Sequence, residues 1–305
     1  MPGDSPGGRA HANPGAIMAF ELYDQHVHSN LSWDCDTEPR DNVLAAIHRG
    51  LAGLTFAEHF DTHPDEWEQC GYDDAAYSAT IAALREEFGE QVFIGKGIEV
   101  CYQPDNMDRI LDFLAGREFD LVILSVHWSG GRCLHSREHW KGLNLVSGTR
   151  LYLEAVLQAA RHCRGLRQRH GRRCFDVLGH LDFVKRYTKR FFDQVCVDEQ
   201  SDLLDEILRT CLEADLVPEV NTSTLRQGMD EPMPGPRTVR RFADLGGRVM
   251  TIGSDAHLAG SVGAGFDQTL QTLRQAGIRR LAVYEKRERR LAACLPGVES
   301  PEPLA

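Results

Sequence analysis

The chain has 305 residues, enough for one large barrel or two ordinary domains, and 42% of them are apolar against 26% charged, the balance of a globular enzyme. A formal charge of -11 gives no overall field that would draw the protein to nucleic acid or an anionic membrane, and no apolar run nears the roughly 20 residues that cross a bilayer. Nine scattered cysteines without a Cys-x-x-Cys pair offer neither a disulfide framework nor a thiolate zinc site, so a reducing, cytoplasmic setting is expected.

Residues 1–19 are rich in Gly, Pro and Ala and lack an apolar signal core, which predicts a disordered tail with Met18 as the working start. The run ELYDQHV (21–27) reads as a first strand, with His26 and His28 on one face because strand side chains alternate. Further strand-like runs follow at 51–59, 91–100, 119–127, 174–180, 216–223 and 247–257. Helical patterns lie between them at 38–50, 73–89, 106–116, 148–166, 198–214 and 235–247, several closing on Gly. Strand-helix alternation predicts a parallel sheet with crossover helices, and seven such units without a break predict one closed α/β barrel rather than two domains. The run at 279–295 adds at most one more strand. The expected limits are a barrel over 20–290 and a flexible C-terminal tail over 291–305.

In such a barrel, function gathers at the carboxyl ends of the strands. Those ends carry, in order, His26 and His28 with Asp34 in the next loop, His59, Glu99, His127, His180 with Asp182, Glu219 with Asn221, and Asp255 with His257. Each has a plain structural explanation by itself. A lone histidine is commonly a hydrogen-bonded structural residue, Asp255 can cap a helix, and Glu99 can pair with Lys96. Together, six histidines and three carboxylates at one mouth cannot be buried without a cation or hydrogen-bond partners. The remaining histidines (His11, His48, His63, His135, His139, His162, His170) are given no role. Imidazole and carboxylate donors without thiolate suit Zn, Mn or Fe, and nine of them suffice for two to three divalent ions. Paired ions about 3.5–4 Å apart are a common arrangement for phosphate ester hydrolysis.

The motifs DQHVHSN, AEH, GIE, SVH, GHLD, EVNTS and GSDAH, in this order, resemble the polymerase and histidinol phosphatase superfamily. GHLDFVKRY and EVNTSTLRQG resemble its histidinol-phosphate phosphatase branch, over roughly residues 20 to 285. The resemblance implies a distorted, TIM-like seven-stranded (βα) barrel with a three-metal cluster. His26, His28, Glu99 and Asp255 would hold the first ion. Glu99 would bridge to a second on His127 and His180, and Asp34, His59 and His257 would hold a third. A histidine commonly stands where this chain has Asp34, so that site would be harder here. The family's phosphate-binding arginines map to Arg186 and Arg226, a residue type that grips phosphate bidentately.

The implied activity is hydrolysis of L-histidinol phosphate, in histidine biosynthesis, by a metal-bridging hydroxide, with Asp255 or His257 as the acid/base group. Three other readings carry discriminating features. A related phosphoesterase would act on a nucleotide or another small phosphate monoester. An amidohydrolase would place a bridging Lys at a middle strand, where this chain has Glu99. A non-catalytic metal protein would fill each metal shell with protein ligands, whereas nine ligands over three ions leave open positions. The expected partner is a small phosphorylated substrate, with no nucleic acid and no membrane, and the pattern is silent on oligomeric state.

Overall fold

In the structure, a computed structural model that describes residues 21–293, each of the seven apolar runs becomes a strand. The order is β1 (Tyr23–Val27), α1 (Pro39–His48), β2 (Gly53–Phe60), α2 (Pro64–Cys70), α3 (Asp74–Phe88), β3 (Phe93–Cys101), α4 (Met107–Ala115) and β4 (Leu121–Ser125). A two-stranded excursion, β5 (Trp128–Ser129) and β6 (Arg132–Cys133), precedes α5 (Leu145–His170), β7 (Val177–Leu178), α6 (Val184–Phe192), α7 (Ser201–Ala214) and β8 (Val217–Asn221). The chain continues through α8 (Pro236–Asp244), β9 (Val249–Gly253), α9 (Phe266–Ala276), β10 (Arg280–Glu285) and β11 (Glu288–Ala293).

Local chemistry sets several of these boundaries. Proline in the first turn opens α1, α2 and α8, where its missing N–H costs nothing. The Asp73 carboxylate caps α3 by accepting from the N–H groups of Ala75 and Ala76. A reciprocal Asn144–Ser147 cap starts α5, and Gly171 in the left-handed conformation stops it, so this helix is longer at both ends than its apolar pattern predicted. Helices α2, α6 and α9 were not predicted. In α6 the signal is masked because a lysine occupies a core position: Lys185 is fully buried, with its ammonium 3.1 Å from Asp182 and 3.0 Å from Glu231.

The sheet order is β1-β2-β3-β4-β7-β8-β9-β10-β11, parallel throughout except for the β10–β11 hairpin. The fold is therefore α/β, and among the described residues the sheet has nine strands: the seven expected and two more, because the run at 279–295, expected to add at most one strand, supplies a hairpin. The Lys286-Arg287 turn makes this possible. Both residues take positive φ, as a tight hairpin turn demands, and Arg287 docks on Asp176 and on the carbonyl of Cys174. The expected flexible tail from 291 is corrected for residues 291–293, which pair with β10 (Arg280 opposite Ala293). The predicted N-terminal tail with its Met18 start, and the residues beyond Ala293, lie outside the described residues.

The two flanks of the parallel run meet. The His28 N–H donates to the Ala256 carbonyl at 2.9 Å, and the Asp255 N–H donates to the His26 carbonyl at 2.7 Å. Below that junction β10 lies beside β1, and the Gln25 side chain takes the place of a backbone ladder, donating to the Ala282 carbonyl and accepting from the Tyr284 N–H. A small apolar cluster of Ala57, Leu121, Ile123, Val177, Val217, Ala282 and Tyr284 packs on one face of the strands. The large core, with Phe56, Ile98, Leu124, Tyr152 and Ile207, joins the other face to the helices. Among the described residues, no helix is long and apolar enough to cross a membrane.

Gly253, the last residue of β9, shows how tightly the sheet holds the strand ends. A Cβ there would lie 2.4 Å from both Glu219 Oε1 and His26 Cβ. Gly253→Ala is expected to destabilise the fold by roughly 1–3 kcal/mol, the usual cost of overpacking, and to displace His26. Denaturant unfolding and metal affinity of the variant check this; an unchanged midpoint with unchanged affinity would refute it.

Candidate metal centre

The parallel strands deliver their terminal side chains to one cavity. It is lined by Asp34, His59, Glu99, His127, His180, Arg186, Asp255 and His257, together with Trp33, Asp61, Glu66, Cys133, His135, Phe183 and Tyr187. Cross-strand register sets the first contacts, since His59 on β2 stands directly opposite Glu99 on β3. His26 and His28 flank Val27 on β1, and their Nε2 atoms face one another at 3.1 Å. Only one proton fits between two such nitrogens, which makes the gap natural for a shared proton or a cation.

Glu99 is the hub. Its carboxylate oxygens lie 3.5 Å from His26, 3.6 Å from His28, 3.1 Å from His59, 3.5 Å from His127 and 2.8 Å from His180. Burial opposes its ionisation, but the surrounding imidazoles outweigh burial and hold it well below the usual carboxylate range. Asp255 lies 3.5 Å from His28 and 3.6 Å from His257. Asp34, from the loop after β1, reaches His257 at 3.1 Å and His59 at 3.4 Å. All nine residues expected to be ligands therefore converge.

The donor set fits divalent ions. Within each of four groups the donor atoms lie within 4.8 Å of one another: His26, His28 and Asp255; Glu99, His127 and His180; His28, His59 and His257; and His59, Asp61 and His127. Several ring nitrogens also lack ordinary partners. His59 Nδ1 is close to Glu99 but makes no aligned hydrogen bond, and His180 Nδ1 has no partner.

In the metal-free protein, protons do the balancing. Burial would lower the histidines, but Glu99 and the neighbouring aspartates outweigh it, raising His59 to about 9 and His127 to about 10. His26 is likewise raised well above its ordinary value by Glu219 and Glu99. His28 goes the other way, lowered by burial and by His257, His59 and His26 around it. Burial opposes ionisation of Asp255 and Asp34, yet their imidazole neighbours hold both below the carboxylate range. An anion so held has no proton to give, whereas His257 is raised by Asp34 and Asp255 against its burial.

The two expected phosphate ligands part company. Arg186, on α6, lines the cavity; its Nη2 donates to Ser223 Oγ at 2.7 Å and lies 3.5 Å from Asp255. Arg226 instead turns its Nη2 onto the carbonyls of Ser254 and Asp255, at 2.7 and 3.2 Å, and is not among the cavity-lining residues. It braces the loop that carries Asp255, whose own backbone takes a positive φ of 53°.

Three further buried carboxylates shape the site; sequence reasoning named Glu219 at its strand end without giving it a role, and missed Asp61 and Asp24. Glu219 accepts from His26 Nδ1 at 2.7 Å and from the His180 N–H at 2.9 Å, fixing one ring by its far nitrogen. Asp61 lies 3.9 Å from His59 Nδ1 and 4.0 Å from His127 Nδ1, and burial raises its carboxyl. Asp24 accepts from the Ser254 N–H and hydroxyl and from the Gly263 N–H, tying the Asp255 loop to β1. Of the two missed, Asp61 was within reach of pattern reading, since it continues the His59 alternation just past the end of β2.

The PHP domain family matches residues 24–223. Histidinol-phosphatase of Lactococcus lactis is 27% identical over 86% of this chain and 93% of its own length. Histidinol-phosphatase of Bacillus subtilis is 25% identical over 81% of this chain and 98% of its own. A crystal structure of histidinol phosphate phosphatase from Lactococcus lactis, complexed with zinc, L-histidinol and phosphate, superposes with a TM-score of 0.79 at 26% identity, covering 88% of this chain and 99% of that one.

Ligation requires neutral imidazole, and His59 and His127, raised to about 9 and about 10, hold their protons at pH 7. Divalent metal binding is therefore expected to release protons at pH 7 and to weaken as pH falls. Calorimetric titration of the metal-free protein in buffers of different ionisation enthalpy reads this directly, and heats independent of the buffer would refute it.

Proposed function

The chain belongs to the PHP domain family, and from that premise we propose that it is a histidinol-phosphatase, a metal-dependent phosphoric monoester hydrolase that converts L-histidinol phosphate to L-histidinol and phosphate. One observation carries this reading: seven metal-type ligands and one arginine line a single cavity with His26 and His28 buried against its floor groups Glu99 and Asp255, in a chain that aligns over most of its length with histidinol-phosphatases. We take the seven parallel strands β1–β4 and β7–β9 as a distorted barrel whose mouth is this cavity, within one catalytic unit.

We assign His26, His28, Glu99 and Asp255 to a first divalent ion, His127 and His180 with the shared Glu99 to a second, and Asp34, His59 and His257 to a third. Zinc, manganese and iron all suit this nitrogen and oxygen set. Bound there, such ions would supply a nucleophile from water at neutral pH and neutralise phosphoryl oxygens. The protein's own groups do the rest. Glu219 holds the His26 ring, and Ser223 holds the Arg186 guanidinium at the cavity wall. Arg186 binds the phosphate, a role in which a planar, permanently charged guanidinium gains most from a dianion. Arg226 acts through the backbone it braces. His257 lies at the mouth, one-third exposed and 3.1 Å from Asp34. Eight unpaired cysteines among the described residues fit a reducing, cytoplasmic setting.

The test is phosphate release by the metal-loaded protein from L-histidinol phosphate, a mononucleotide, a sugar phosphate and single-stranded DNA. Histidinol phosphate is expected to be preferred. His26→Ala is expected to abolish turnover, and Arg186→Ala to lower kcat/KM by about 10- to 100-fold, the worth of a charge-assisted contact. Preference for another monoester would move the function to a related phosphoesterase.

A further inference from the structure

Five carboxylates line the cavity, and four of them belong to the histidine cluster. Asp34, Asp61, Glu99 and Asp255 each lie within 4.0 Å of an imidazole nitrogen. The fifth, Glu66, is different. It is half-buried, lines the same wall, and pairs with no Lys, Arg or His among the described residues. It is also held in place. Trp128 Nε1 donates to Glu66 Oε2 at 2.7 Å, and the Trp128 ring stacks on His63, the residue just before α2. One carboxylate oxygen is thus committed to the clamp and the other is left free of any such tie.

The clamp spans the site. Glu66 sits on α2, which follows β2 and His59, while Trp128 follows β4 and His127. Arg186 reaches the cavity from α6, after β7, so β3 and β4 with Glu99 and His127 stand between the two charges in the sheet order. The cavity therefore has an anion-binding side at Arg186 and a separate, anchored negative charge at Glu66. A phosphate monoester that also carries a primary ammonium has this same charge layout.

We propose that Glu66 is the specificity-determining residue that binds the substrate's ammonium group, so that the site selects amine-bearing phosphate monoesters. This rests on the histidinol-phosphatase reading and adds to it a residue for the amino group. A half-buried carboxylate with no cationic partner and one oxygen free of the clamp can accept a charge-assisted hydrogen bond from an incoming ammonium. The Trp128 clamp fixes the carboxylate beforehand, so little side-chain entropy is lost on binding.

The experiment compares kcat/KM of the metal-loaded wild type and Glu66→Gln on L-histidinol phosphate and on its analogue without the amine, 3-(imidazol-4-yl)propyl phosphate. Glutamine keeps an oxygen for Trp128 and removes only the charge. The wild type is expected to prefer the amine-bearing ester, and the variant to reduce that preference at least tenfold, mainly through KM on histidinol phosphate. Equal losses on both esters would mean that Glu66 serves only the clamp, and would overturn the proposal. So would an unchanged preference, or a wild type indifferent to the amine. A wild type that hydrolyses neither ester but releases phosphate from another monoester would instead overturn the histidinol-phosphatase reading, and this inference with it.

Discussion

One buried carboxylate organises this molecule. Glu99 lies near the end of a central strand with almost no solvent exposure, and five imidazoles stand within 3.6 Å of it. An isolated anion in that position would be prohibitively costly. The strands β1, β2, β4 and β7 each end in, or run directly into, a histidine that answers the charge. The parallel sheet makes this geometry possible, because parallel strands present all their carboxyl ends on one side. The site is therefore a requirement of the sheet mouth as much as an addition to it: removing the cation or proton balance would strand a buried charge.

Around that hub runs a second ring of groups that touch the clustered side chains without lining the cavity. Glu219 takes His26 by the far ring nitrogen and His180 by its backbone. Asp24 gathers Ser254 and Gly263, and Arg226 gathers the carbonyls of Ser254 and Asp255. These contacts stabilise the left-handed backbone at Asp255, a conformation that an aspartate tolerates better than most residues. The same ring extends through Asn221 and Ser223 to Arg186, so Arg186 and His26 share one hydrogen-bonded frame. Positional error at one member passes to the others, which is why a single added methyl at Gly253 bears on both Glu219 and His26.

The opposite end is closed by different means. The β10–β11 hairpin brings Ala282 and Tyr284 into the small apolar cluster, and Gln25 joins β1 to β10 through its amide rather than its backbone. A tight turn of Lys and Arg, both at positive φ, is locally unfavourable. Arg287 offsets this by docking on Asp176, a carboxylate with no solvent exposure. The stability of this end therefore sits in long-range ion pairs and that of the mouth in the ligand cluster, with the helices packed around both.

The sequence by itself determined the α/β class, the seven apolar strands and the nine ligand-type residues, because strand alternation and strand-end position are local properties that a pattern of period two reveals. Helix α6 was illegible because its buried lysine needs Asp182 and Glu231, the latter forty-six residues away, before it can count as a core residue. The direction of Arg226, the orienting role of Glu219 and the Trp128 clamp on Glu66 were equally beyond reach, since each depends on which partner a side chain meets across the sheet. So did the nine-stranded count, where a charged turn reads as a strand continuing until Arg287 finds Asp176. Composition and spacing decide which groups are present; only tertiary packing, through distances of a few ångströms between residues far apart in sequence, decides which of them face the cavity and which hold the others in place.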